Sequence, residues 1–215
     1  MDINPLLAAG TACLTLTGLL WLGERRDDPR ARWLLKPLTS VLFILAAFVH
    51  GPHGRYDWLM VGGLVLSAVG DVCLIPAHRR WFLVGLVAFL VAHLCYLAAF
   101  GQRASLLAIN PLAGVVVGAA STALFLYFRP YLGSLRGPVL IYVIVVTLML
   151  MGAWALTVGG GGWSWRVATG ATLFYLSDIT AARDRFIADS GFSNRVLGLS
   201  LYYAGQFLLA FSVGG

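Results

Sequence analysis

The chain has 215 residues, of which 60% are hydrophobic and only 11% charged, with a formal net charge of +6. A soluble domain carries charge on roughly a quarter of its residues, so this composition, with a mean hydropathy of +0.84, excludes an ordinary water-soluble fold. The charges gather in short runs between long apolar stretches, which assigns the positive excess to membrane loops. No aromatic and basic patch points to nucleic acid.

Apolar runs read against Gly, Pro and charged breaks predict eight helices near 5–23, 36–50, 57–75, 81–100, 106–128, 136–158, 164–181 and 195–213. A helix needs about 20 apolar residues to cross the hydrocarbon layer, and these runs are too long for barrel strands, the other structure that satisfies its backbone in lipid. The expected fold is all-α: a polytopic membrane protein with eight transmembrane helices in one bundle, a single transmembrane domain over residues 1–215. The first run has no Lys or Arg before Arg25, unlike the basic start of a cleaved signal peptide, so it is expected to be retained. The second opens at Lys36-Pro37 and ends at His50-Gly-Pro-His-Gly-Arg55. The third carries LVLSAVGDVCL (64–74), with Ser67 one turn before Asp71, and the fourth FLVAHLCY (89–96), with His93 and Tyr96 one turn apart. In the fifth, Gly114-Val-Val-Val-Gly118 offers a small-residue face, expected to pack within the chain and leave a monomer. The seventh carries ATLFYLSDITA (171–181), with Tyr175 one turn before Asp178. Its likeness to 64–74 is the mark a four-plus-four parallel repeat would leave. The eighth carries LYYAGQ (201–206), where Tyr203 and Gln206 share a face.

Twelve of the fifteen Lys and Arg fall in the first, third, fifth and seventh connections, and three (Arg55, Arg103, Arg166) in the others. Positive-inside asymmetry then puts the odd connections in the cytoplasm and both termini on the opposite side, with a bacterial inner membrane as the expected location. Cys13, Cys73 and Cys95 lie within apolar runs and read as small core residues. One buried His cannot assemble a three-His zinc site; no cofactor and no metal are expected.

Ionised Asp at a helix centre costs roughly 2.5–3.5 kcal/mol on insertion scales, so intramembrane carboxylates call for a reason. Asp71 precedes Arg79 by eight residues and Asp178 precedes Arg183 by five, which puts them about 12 Å and 8 Å inside the basic ends of their helices. Two carboxylates at similar depth in one leaflet predict a shared site. Lys36, Ser67, His93, Tyr96, Tyr175, Tyr203 and Gln206 complete the expected polar cleft, entered from the cytoplasmic side.

Five ordered segments, LLKPLTS (34–40), LSAVGDVCL (66–74), FLVAHLCY (89–96), GATLFYLSD (170–178) followed by ARDRF, and LYYAGQFLL (201–209), resemble the YhhN/TMEM86 family, the lysoplasmalogenases. The resemblance implies an eight-helix fold and hydrolysis of the vinyl ether bond of a lysoplasmalogen, giving a fatty aldehyde and glycerophospho-ethanolamine or -choline. It also implies Asp71 and Asp178 as the catalytic pair, with a lysophospholipid as partner. Two other readings use membrane carboxylates. A proton-coupled transporter relays protons through them, and would show uptake without turnover. An intramembrane aspartyl protease carries Gly-x-Gly-Asp, where this chain has Ala68-Val69-Gly70-Asp71.

Overall fold

The computed structural model describes residues 5–26, 28–49, 51–187 and 191–214, apart from the side chains of residues 5–9 and Cys13. The readings made for Cys13 and His50 therefore lie outside the described residues. Eight α-helices follow one another: α1 (Pro5–Arg25), α2 (Pro29–Ala47), α3 (Arg55–Cys73), α4 (Arg79–Phe100), α5 (Pro111–Phe128), α6 (Arg136–Ala155), α7 (Gly162–Phe186) and α8 (Gly191–Ala210).

Local chemistry sets several of the starts. Asp28 accepts the Arg30 N–H at 2.9 Å ahead of Pro29, so α2 begins seven residues before the position expected from apolar content and carries Lys36 two turns into the helix. Asn110 accepts the Leu112 N–H at 2.9 Å ahead of Pro111 and starts α5 in the same way. His78 Nδ1 accepts the Arg80 N–H at 3.2 Å at the start of α4. Asp57, in the first turn of α3, accepts the N–H groups of His53, Gly54 and Gly214 at 2.9, 3.0 and 3.0 Å. One carboxylate thereby ties the α2–α3 connection to the C-terminal end of the bundle.

The expectation of eight transmembrane helices is corrected here. Among the described residues, four helical segments are long and apolar enough to cross a membrane: Arg55–Cys73, Arg79–Phe100, Pro111–Tyr131 and Gly133–Ala155. Forming a helix and having the composition to span lipid are separate properties. α2 opens with Arg30, Arg32 and Lys36; α7 carries Arg166, Asp178, Arg183, Asp184 and Arg185; α8 carries Asn194, Arg195 and Gln206. These polar groups lower the apolar content of helices that counting runs between breaks had treated as equivalent. The molecule is an all-α, integral, multi-pass membrane protein.

Seven helices close a ring in the order α1, α2, α3, α4, α6, α7, α8, with α1 packed on α8; α8 also reaches inward to α2 and α3, and α5 lies outside against α6. The outer surface is apolar: Leu45, Val87, Val115, Val116 and Ile141 are all more than half exposed, as suits a lipid-facing surface. Close helix approaches occur where a side chain is absent. A Cβ on Gly205 would stand 2.8 Å from the Gly170 carbonyl oxygen and 3.0 Å from the Phe174 nitrogen, so α7 and α8 cross backbone to backbone. A Cβ on Gly70 would meet the Phe89 ring at 2.6 Å, which seats α4 on α3 beside Asp71.

Candidate active site

Two apolar clusters form inside the bundle. The larger runs through α1–α4 and α6–α8 around Phe43, Phe89, Tyr96, Phe174 and Tyr203. The smaller, around Phe128, Leu132 and Val139, lies where α5 and α6 meet the end of α7. A cavity of about 420 Å³ separates them and is lined from both. Its walls are apolar at Phe125, Phe128, Val139 and Val146, and polar at Lys36, Asp71, Ser121, Tyr142, Tyr175, Asp178 and Tyr202. An apolar pocket with a few convergent polar groups is the usual form of a small-molecule site.

Asp71, on α3, is 4% exposed. Its Oδ2 lies 2.6 Å from Ser40 Oγ of α2 and accepts the Tyr202 hydroxyl of α8 at 2.7 Å. Ser40 Oγ also lies 2.9 Å from the Lys36 carbonyl oxygen. The single Ser40 hydroxyl proton thus has two acceptors within reach, Asp71 Oδ2 and the Lys36 carbonyl oxygen.

Asp178, on α7, has a separate set of partners. Its Oδ2 stands 3.5 Å from His93 Nε2 of α4, and neither atom has another hydrogen-bond partner. Tyr142 of α6 lines the cavity with it. His93 Nδ1 lies 2.6 Å from the Phe89 carbonyl oxygen; a carbonyl only accepts, so Nδ1 carries a hydrogen and Nε2 is the ring atom that faces Asp178. Phe174 packs on His93 at 4.6 Å and on Tyr202 at 5.3 Å between ring centres. It stands as a wall between the two carboxylate environments.

Of the residues expected from the sequence, Lys36, Asp71, Tyr175 and Asp178 line the cavity. Tyr175 does so with its hydroxyl 2.8 Å from Ser121 Oγ, which in turn accepts from Thr147 at 2.8 Å, joining α5, α6 and α7. His93 is fully buried behind Asp178. Ser67, Tyr96 and Gln206 form a layer farther in, where the Tyr96 hydroxyl donates to Gln206 Oε1 at 2.9 Å while Ser67 Oγ and Gln206 Nε2 have no hydrogen-bond partner. Tyr203 is buried away from the cavity, its hydroxyl 3.4 Å from the Lys36 carbonyl oxygen. The residues expected from the sequence to form the site did not include Ser40, Tyr142, Tyr202 or, at the mouth, Glu24, Arg32 and Arg195. Tyr142 sits in the apolar run LIYVIVV, where a lone hydroxyl was the available signal. Among the described residues, no three His, Cys, Asp or Glu side chains converge in a way that could hold a metal ion.

The sequence model of the YhhN family matches residues 31–213. Lysoplasmalogenase TMEM86B of Mus musculus is 36% identical over 218 residues, covering 98% of this chain and 87% of that protein. Lysoplasmalogenase TMEM86A of Bos taurus is 39% identical over 189 residues, with coverages of 83% and 76%. The lysoplasmalogenase of Mycobacterium tuberculosis (strain CDC 1551 / Oshkosh) is 33% identical over 175 residues, with coverages of 79% and 64%. No solved structure matches the chain.

Proposed function

Because the chain belongs to the YhhN family, we propose that it is a lysoplasmalogenase-like hydrolase that cleaves the vinyl ether bond of a lysoplasmalogen by acid–base catalysis at two carboxylates. The supporting observation is that Asp71 and Asp178, from different helices and with different partners, line one amphipathic cavity.

The reaction adds water across R–CH=CH–O–R′ to give R–CH₂–CHO and HO–R′. Vinyl ethers resist base and yield to acid, because a proton on the β-carbon leaves an oxocarbenium ion. Asp71 is the acid in this reading, buried at 4% exposure with Ser40 and Tyr202 beside it. Asp178 faces the cation as a carboxylate, and with His93 Nε2 behind it takes a proton from the attacking water. The hemiacetal then collapses to aldehyde and glycerol hydroxyl, and the proton returns to the Asp71 side. Glycosidases divide the work between two carboxyl groups around a similar cation. The apolar wall from α5 and α6 suits the hydrocarbon chain, and Lys36 meets the polar headgroup.

The cavity opens at the end of the bundle that collects Arg32, Lys36, Arg185 and Arg195. Arg79 donates to Ser134 Oγ at 2.8 Å there, joining two of the arginine-bearing connections. The positive-inside asymmetry makes that end cytoplasmic in this reading.

The deciding measurement is fatty aldehyde release from lysoplasmalogen by purified wild-type, Asp71→Asn and Asp178→Asn proteins, each shown to be folded by its thermal transition. Loss of a general acid or base lowers kcat by about 100-fold or more. Folded variants that keep full turnover would sink the two-carboxylate mechanism.

A further inference from the structure

The cavity mouth holds cations in unequal circumstances. Glu24 of α1, its side chain 6% exposed, accepts the Arg32 fork of α2, with Nε to Oε1 at 2.7 Å and NH2 to Oε2 at 3.1 Å. Such a bidentate pair is the strongest geometry available to a guanidinium. Arg195 of α8 reaches the same carboxylate only at 3.8 Å, and its Nε is buried without a hydrogen-bond partner. Lys36 makes no ion pair among the described residues and projects at the same mouth. Asp184 and Arg185 from the end of α7 also line it, Arg185 with its guanidinium 4.3 Å from the centre of the Phe82 ring. Among the described residues, Glu24 lies within ion-pair distance of both Arg32 and Arg195, and Arg32 bonds both of its oxygens.

The backbone under Arg195 is held in place. Asn194 donates to the Thr180 carbonyl at 2.9 Å, and the absent side chain of Gly198 leaves room for Thr180. The first turns of α8 are therefore fixed to α7, beside Asp178. A guanidinium on rigid backbone, its side chain 39% exposed but its Nε shielded from solvent without a hydrogen bond, and with an ammonium nearby, is placed to take an anion.

We propose that Arg195, with Lys36, binds the phosphodiester of the substrate and selects lysophospholipids over neutral alkenylglycerols, with Glu24 and Arg32 as positioning residues that aim Arg195. This rests on the hydrolase reading above and extends it to the part of the substrate remote from the chemistry. The phosphodiester completes the set of acceptors that Glu24 leaves unfilled, and anchoring it fixes how far the vinyl ether reaches towards Asp71 and Asp178.

The test compares 1-alkenyl-glycerophosphoethanolamine with 1-alkenylglycerol in non-ionic detergent free of other phospholipid, so that the substrate is the only lipid phosphate. Wild-type protein is expected to favour the phospholipid in kcat/KM. Arg195→Gln is expected to lower that preference about tenfold or more, mainly through KM, the size of one lost charge-assisted hydrogen bond. Arg195→Lys recovers part of it, and Glu24→Gln lowers it by less. An Arg195→Gln protein that keeps the preference, or loses both substrates in equal measure, overturns the assignment. A second arm needs no turnover: the thermal shift given by the uncleavable 1-alkyl-glycerophosphoethanolamine, against 1-alkylglycerol. Wild-type protein is expected to be stabilised by the phospholipid and Arg195→Gln is not; equal shifts in the two proteins overturn the proposal. If neither alkenyl substrate is cleaved while the phospholipid shift depends on Arg195, the hydrolase reading fails and the anion subsite stands.

Discussion

Tyr202 illustrates what one hydroxyl does at this site. It donates to Asp71 Oδ2 at 2.7 Å, and its ring packs at 5.3 Å on Phe174, the residue that separates Asp71 from His93 and Asp178. Tyr202→Phe keeps the ring and deletes the bond. A hydrogen bond of this kind contributes about 1 kcal/mol, so kcat is expected to fall roughly five- to tenfold, with KM little changed, in the aldehyde-release assay. Tyr203→Phe, next in sequence but buried away from the cavity, is the matched control and is expected to change kcat less than twofold. Equal effects of the two substitutions would remove Tyr202 from the site. His93→Gln tests the second carboxylate environment. It retains a side chain of comparable length but loses the imidazole Nε2 opposite Asp178, and a drop in kcat of about 100-fold is expected for a group that takes part in proton transfer.

The α7–α8 crossing carries the site at the level of elements, because α7 bears Asp178 and α8 bears Tyr202 and Arg195. Gly170 and Gly205 let the two backbones touch. Gly205→Ala would bring its new methyl to 2.8 Å from the Gly170 carbonyl oxygen, where the obstacle is backbone and cannot rotate away. Overpacking of this sort costs about 1–3 kcal/mol, so a lower thermal midpoint in detergent is expected together with reduced turnover. Gly62→Ala meets nothing within 4 Å and is expected to leave both measurements at the wild-type level. A Gly205→Ala protein as stable as wild type would mean that the crossing is looser than drawn. The sequence displayed these helices well, since caps such as Asp28-Pro29 and Asn110-Pro111 are local. It was less legible on which face each helix turns inward. Tyr202 and Tyr203 are about 100° apart on a helix, and pairing Tyr203 with Gln206 by spacing selected the neighbour of the residue that touches Asp71. The choice belongs to the packing of α8 against α2, α3 and α7.

For the whole molecule, the testable property is which way it sits in the membrane. In a cysteine-free background, Ala77→Cys in the α3–α4 connection and Gln102→Cys after α4 place exposed thiols at opposite ends of α4. Membrane-impermeant maleimide is expected to label the first in inside-out vesicles and the second in right-side-out vesicles. The reverse pattern would put the cavity on the other side of the membrane and remove the support drawn from the arginine asymmetry. The apolar outer surface and the polar cavity are two sides of the same arrangement. Lipid accepts the Val and Leu faces, while Asp71 finds its partners Ser40 and Tyr202 inside the ring of helices.

The sequence alone determined the membrane class and the existence of eight helices, and it singled out two aspartates. Each follows from composition or periodicity, which are local and additive along the chain. The number of helices with the length and apolar content to cross a membrane was overcounted, because runs between breaks were weighed without the polar groups inside α2, α7 and α8. Only the tertiary structure decided that Asp71 and Asp178 share a cavity while keeping separate partners, and that Ser40, Tyr142, Tyr202 and Arg195 belong to it. Those contacts join residues far apart in the chain, such as Asp71 and Tyr202, and they exist because close backbone approaches at Gly70, Gly170 and Gly205 bring particular faces of different helices together.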